Sequence, residues 1–292
     1  MKPGAEFVPI RVLLLGCSRS GTTVVQRCLA NHPDACSFPE TGFFRQIGGP
    51  RVWAALANAG VVRAGAVRRA WGRLARVVPG LKSPLIPKGS PFLGTRGAVQ
   101  DFLAALDAYA LDRDCRAWVE KTPRHYRYAA LIRRHVPDAY IVHVVRDGRD
   151  VTASIRDRAQ TYPDRFGQQF DPAVGVREWN RAVRIAWDQR KAHRVRILMF
   201  SDFVADPEAS LRALCAWMGW SYAPEMLSDV DTDHIRRTQE VWKEGAAAPI
   251  TPPRSKFQLV FDAKERRWVE RHLDQRTYAR LIQHLRQHHG QP

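Results

Sequence analysis

Apolar residues recur along this chain in two rhythms. Short continuous runs, Arg11–Gly16 (RVLLLG), Ala117–Glu120, Tyr140–Val145 (YIVHVV) and Val195–Phe200, read as strands, the first and third of them buried. Between them apolar positions return at helical spacing. Thr22–Asn31 is one such helix, with Val24, Val25, Cys28 and Leu29 on one side and Pro33 beyond its end. Arg124–His135, stopped by Pro137, and Arg149–Arg158 are two more. In Val174–His193 the residues Val176, Trp179, Val183, Ala186 and Trp187 mark the inner side. Asp206-Pro207 offers an N-cap and a first-turn proline to a helix lined by Leu211, Leu214, Cys215 and Met218, and Gly219 ends it. Asp262 with Glu265 has capping-box spacing for a late helix. Strands alternating with helices predict an α/β fold of three αβα layers around a central, mostly parallel sheet. Its ligand site is expected beyond the carboxyl ends of the strands.

Residues 45–100 interrupt this rhythm. They are rich in Arg, Ala, Gly and Pro, and Pro79, Pro84, Pro87 and Pro91 break the chain repeatedly. Their position predicts a helical insertion followed by a loop, suited to covering an active site. The rest of 1–292 is expected to form a single domain around it.

Composition narrows the partners. The chain is 45% hydrophobic and 26% charged, which is globular. Its 46 Lys and Arg against 29 Asp and Glu leave a net charge of +17, so the partner is expected to be anionic. Nucleic acid, a membrane surface and a phosphorylated small molecule all satisfy that charge. Many of the arginines fall in 63–76 and 264–286, where a solvated helix face accounts for them. The five cysteines form no C-x-x-C pair, which suits reduced thiols and suggests no metal site. Met1–Pro9 has no apolar leader core, and no apolar run approaches the ~18 residues of a membrane span. No transmembrane segment and a cytoplasmic location are therefore expected.

The first strand runs straight into Gly16-Cys17-Ser18-Arg19-Ser20-Gly21-Thr22-Thr23. This is nearly the phosphate-binding G-x-x-x-x-G-K-[ST] turn, in the strand-to-helix setting that turn requires. Glycines allow the tight bend, and backbone N–H groups converge on an anion at the positive end of the next helix. Thr22 stands where an ATPase carries its lysine, which argues against hydrolysis of ATP or GTP. Arg19 and the hydroxyls of Thr22 and Thr23 suit a single phosphate bearing a sulfonate. A second cluster is Val145-Arg146-Asp147-Gly148-Arg149-Asp150-Val151, leading to Ser154 and Arg158. An arginine fork at a strand's end with a nearby hydroxyl is a good grip on a terminal phosphate.

These two clusters resemble the signatures of sulfotransferases that use 3′-phosphoadenosine-5′-phosphosulfate (PAPS). Arg19–Thr23 is similar to the loop for the 5′-phosphosulfate, and Arg146 with Ser154 to the 3′-phosphate motif. Looser likeness extends over residues 9 to 285. Val195–Met218 resembles the family's Y-E-D-L-x-x-D-P strand and helix, with Phe200 and Ser201 in place of Tyr and Glu. Pro253–Leu259 falls where the family has a basic loop, with Ser255 and Lys256 as contacts. The resemblance implies a P-loop-containing, sulfotransferase-like fold, PAPS as sulfonate donor and no metal. A hydroxyl acceptor on a glycan or small molecule is expected, with no specific nucleic acid.

Sulfonate transfer is an in-line displacement. It needs a base, cations on the sulfonate oxygens and a stabilised leaving phosphate. Glu40 follows Arg19 by 21 residues, and in the tyrosylprotein sulfotransferases a glutamate at this spacing looks like the base. Phe38 and Phe43 beside it suggest an apolar setting that raises a carboxyl pKa. Lys121 resembles the family lysine that assists departure, and Arg19 joins it on the sulfonate. Many cytosolic members carry a histidine base two residues after that lysine, where this chain has Pro123. His125 is a second candidate base. Trp118 is expected in the core. The rival readings are a P-loop nucleotide kinase-like phosphotransferase, opposed by Thr22, and a nucleic-acid binder, opposed by the lack of a recognisable module.

Overall fold

The computed structural model describes residues 7–78, 80–81, 84, 86, 89–166, 171–228, 250 and 255–288. From the N-terminus, β1 (Ile10–Gly16) leads through α1 (Thr22–Ala30) to β2 (Ala35–Ser37). Next come α2 (Phe43–Gly48), α3 (Arg51–Asn58), β3 (Val61–Arg63), α4 (Ala64–Leu74), β4 (Phe92–Gly94) and α5 (Thr95–Leu111). β5 (Ala117–Lys121), the 3₁₀ segment Pro123–Tyr128, α6 (Ala129–His135), β6 (Tyr140–Val145) and α7 (Gly148–Thr161) follow. Then come α8 (Pro163–Phe166), α9 (Pro172–Gln189), β7 (Val195–Met199), α10 (Phe200–Ala205) and α11 (Pro207–Met218). Last are α12 (Phe257–Val260), α13 (Ala263–His272) and α14 (Gln275–His288).

The central sheet has the order β2-β5-β1-β6-β7, and every pairing in it is parallel. β1 lies in the middle because its runs of apolar side chains can be buried on both faces. Leu13 and Leu15 enter one core with Phe102, Trp118, Ile141 and Trp179. Val12 and Leu14 enter the other with Val25, Leu29, Val142, Phe203 and Leu211. Burying each such aliphatic side chain contributes about 1.5–3 kcal/mol. The chain leaves β1 toward β2 on one side and later reaches β6 on the other. The carboxyl ends of β1, β5 and β6 thus flank the point where the strand order reverses, the usual place for a ligand in such sheets.

Several sequence expectations need adjustment. Phe200 opens α10 instead of ending β7. The helix expected over Arg124–His135 starts as a 3₁₀ segment and becomes α-helical only at Ala129. The late basic stretch is two helices, because Asp274 accepts the Thr277 N–H and restarts the chain. In 45–100 the short helices appear, but β3 and β4 pair as an antiparallel ribbon and α5 begins at Thr95. α5 is anchored by Val99, Phe102, Leu103 and Leu106. Pro79 and Pro87 lie outside the described residues, as do Pro253 and Arg254. Trp118 is fully buried, and its Nε1 donates to Asp107 at 2.8 Å. Among the described residues no helix is long and apolar enough to cross a membrane.

Candidate active site

The turn after β1 is tightly built. Gly16 hands the chain to Cys17, whose carbonyl accepts the Ser20 N–H at 3.2 Å. Arg19 takes a left-handed φ of +74° and Gly21 one of +91°. A Cβ on Gly21 would lie 2.2 Å from the Phe200 ring, so glycine is required by packing as well as by backbone. α1 then begins with no side-chain cap, which leaves N–H groups of its first turn facing whatever lies beyond it. Ser20 is buried, and its Oγ has no hydrogen-bond partner among the described residues. An uncapped helix start and an orphan hydroxyl fit an anionic ligand better than an empty turn does.

The second cluster arrives from β6 and α7. Arg146 follows β6 and forms an ion pair with Asp150 at 3.3 Å. Its guanidinium carbon lies 5.4 Å from the Phe200 ring centre, and its carbonyl accepts the Trp179 indole N–H at 2.8 Å. Asp147 caps α7 by accepting the Arg149 N–H. Ser154, two turns along α7, accepts from Arg19 Nε at 2.9 Å. Arg19 and Ser154 are thus in direct contact although 135 residues separate them. Burial pushes the Arg19 pKa down, the nearby charge of Arg146 adds to this, and Asp157 partly opposes it. Two guanidinium groups drawn together out of water form a place prepared for anions.

The remaining expected contacts are spread around this centre. Thr22 is buried and Thr23 half-buried at the start of α1, and Arg158 is half-buried on α7. Lys256 Nζ reaches Asp157 at 2.6 Å, one turn beyond Ser154. Ser255 is exposed, and its Oγ accepts the Phe257 N–H at 3.4 Å.

Glu40 and Lys121 meet. Lys121 ends β5 with its side chain fully buried, and its Nζ donates to Glu40 Oε1 at 2.7 Å. Glu40 keeps a quarter of its side chain exposed. The apolar surrounding expected for Glu40 is not what holds it. Phe43 instead stacks on Phe102 in the core, with ring centres 4.0 Å apart, and the carboxylate has an ammonium as neighbour.

His125 is removed from the candidate bases. It is fully buried, its Nδ1 lies 3.2 Å from Glu120 Oε2, and its ring meets Phe44 edge-on. Sequence reasoning passed over Glu120, Thr41, Thr122 and Arg73, which bond one another or the backbone of residues 40–42. The available signal was Glu120 itself, an acidic residue at the end of a short strand run beside Lys121.

A mostly parallel sheet in three αβα layers, with a glycine-containing turn leading from its central strand into a helix and no lysine at Thr22, defines a class of α/β proteins. Within it a model described as the sulfotransferase family matches residues 9–224. The chain belongs to the sulfotransferase family. Its structure is similar to the sulfotransferase domain of the Synechococcus PCC 7002 olefin synthase, with a TM-score of 0.54 and 16% identity over 92% of this chain and 96% of that one. It is also similar to a sulfotransferase domain from the curacin biosynthetic pathway, with a TM-score of 0.53 and 16% identity over 90% and 97% of the two chains. At such identities the likeness concerns the fold. Sequence comparison with curated proteins gives no match.

Proposed function

We propose that this sulfotransferase moves the sulfonate of PAPS to a hydroxyl of a small-molecule or glycan acceptor, leaving adenosine 3′,5′-bisphosphate. The observation that carries the reading is the Arg19–Ser154 contact at 2.9 Å, which joins the 5′-side turn to the 3′-side helix. One ligand with phosphate at both ends would satisfy both clusters. In this reading Arg19, Ser20, Gly21, Thr22 and Thr23 hold the 5′-phosphosulfate. Arg146, Ser154 and Arg158 hold the 3′-phosphate, with Ser255 and Lys256 closing over it.

Glu40 then takes the acceptor proton as the acceptor oxygen bonds to sulfur. The bond from sulfur to the 5′-phosphate oxygen breaks in the same displacement, and Lys121 and Arg19 balance the charge that develops. These cations supply what a metal supplies in kinases. Arg73 of α4 donates to the Thr41 carbonyl at 2.8 Å and the Glu40 carbonyl at 3.3 Å. This supports the segment within 45–100 as the wall of the acceptor pocket.

The test is calorimetric binding of adenosine 3′,5′-bisphosphate, with ADP as control and EDTA present. Micromolar binding of the bisphosphate with no response to ADP is expected. Binding of neither, or tighter Mg²⁺-dependent binding of ATP, would overturn the donor assignment and restore the phosphotransferase reading.

A further inference from the structure

The loop that carries Glu40 is fixed from beneath by a buried polar cluster. Glu120 sits one residue before Lys121 on β5, with its side chain at 0% exposure. Its Oε1 accepts from Thr41 Oγ1 and from Thr122 Oγ1, both at 2.7 Å. Its Oε2 faces His125 Nδ1 at 3.2 Å. The two hydroxyls also accept. Thr122 Oγ1 takes the Gly42 N–H at 3.1 Å, and Thr41 Oγ1 takes the Phe43 N–H at 3.3 Å. One buried carboxylate therefore organises both the side chain of Thr41 and, through Thr122, the backbone of the next residue.

Burying an ionised carboxylate is expensive unless donors surround it. Burial pushes the Glu120 pKa up, but His125, Thr122 and Thr41 together hold it below its ordinary value. The charge is thus kept inside the protein by the same donors that shape the loop. Gly42 adds a bend at φ +64°. From the outer side Arg73 binds the carbonyls of Thr41 and Glu40. With the backbone clamped on both sides, the Glu40 carboxylate is directed to Lys121 Nζ.

We propose that Glu120 is a positioning residue for the transfer reaction, acting through Thr41 and Thr122 to hold Glu40 against Lys121. The inference rests on Glu40 serving as the base. Such a role suits the chemistry, because displacement of about 1 Å at a reacting group can lower turnover by roughly 10²-fold.

The test compares Thr41→Val, Thr41→Ser and Glu120→Gln with the parent chain. Crystal structures give the Glu40–Lys121 separation, and calorimetry gives the affinity for adenosine 3′,5′-bisphosphate. Thr41→Val removes one hydroxyl at constant shape, so it keeps the test open if Glu120→Gln does not fold. The expected result is that Thr41→Val parts Glu40 from Lys121, Thr41→Ser restores the contact, and bisphosphate affinity stays within about twofold. With an acceptor in hand, kcat falls by roughly 10²-fold in Thr41→Val while the KM for PAPS is unchanged. An intact Glu40–Lys121 contact in Thr41→Val overturns the inference, and so does Thr41→Ser behaving like Thr41→Val. Failure of the base assignment looks different. Glu40→Gln would then keep full turnover while the Thr41–Glu120 cluster and its control of the loop remained.

Discussion

Gly21 is constrained twice, by a φ of +91° and by the Phe200 ring, which a Cβ would approach to 2.2 Å. The ring belongs to α10 and is packed in place beside Phe203, so neither side can yield easily. Gly21→Ala is expected to destabilise the fold by about 1–3 kcal/mol from the backbone alone. It should also weaken bisphosphate binding by more than tenfold, because the N–H groups beside it shift. Thermal unfolding and calorimetry measure the two effects. A variant that unfolds earlier but binds as before would remove the turn from the phosphate site. At this scale the contiguous residues were legible in the sequence, since Arg19 to Thr23 form one turn whose glycine, hydroxyls and cation follow the strand directly. Glu120 was not. Its partner Thr41 is 79 residues away, and only the packing of β2 beside β5 brings them together. Glu40 and Lys121 were each found through family spacing. Their contact, and hence the charged setting of Glu40, required the fold.

Among the elements, α7 does the most to join the two halves of the site. Asp147 fixes its start, Ser154 meets Arg19, and Asp157 holds Lys256 from the distant residues before α12. One helix thus spaces the 5′ and 3′ groups of the proposed donor. Arg146 precedes it at the end of β6, where Trp179 pins its backbone and Phe200 lies beside its side chain. A lysine there keeps the charge but loses the planar fork. Arg146→Lys is expected to weaken adenosine 3′,5′-bisphosphate binding about tenfold, while leaving the absent ADP response unchanged. Equal affinity in calorimetry would place the 3′-phosphate elsewhere. α11 was legible through its Asp206-Pro207 start and Gly219 end, and α9 through the inward repeat of Val176, Trp179, Val183 and Ala186. α5 lacked that punctuation, its N-cap being Gly94 with no side-chain bond. The 3₁₀ start before α6 was hidden because i, i+3 spacing serves both helix types over six residues.

At the scale of the whole molecule, the +17 charge indicated an anionic partner but could not choose one. The choice came from where a few arginines converge. The central sheet carries a second, less visible consequence for stability. His143 lies on β6 beside the turn that follows β1, and it lines a small cavity with Gly16, Cys17, Ser20, Trp179 and Val183. It is buried, and its Nε2 lies 2.9 Å from Gln189 Oε1. Burial pushes its pKa down to about 4 from 6.5, with the Gln189 contact opposing weakly. The unfolded chain therefore takes up this proton as pH falls through 6.5, while the folded chain refuses it until about pH 4. The folded state binds fewer protons across that window, so stability is full above it and declines on acidification, by about 3 kcal/mol in total for this one group. His143→Gln, which retains an amide for Gln189, should flatten that part of the curve. Urea unfolding at about pH 7.5 and about pH 4.5 measures it as the loss in the parent minus the loss in the variant. A difference of about 2–3 kcal/mol would locate acid sensitivity directly under the turn that follows β1. Equal losses would mean that His143 takes up its proton in the fold as it does in the unfolded chain, with water reaching it through the cavity, and the sheet beneath the turn would then be wetter than its packing implies.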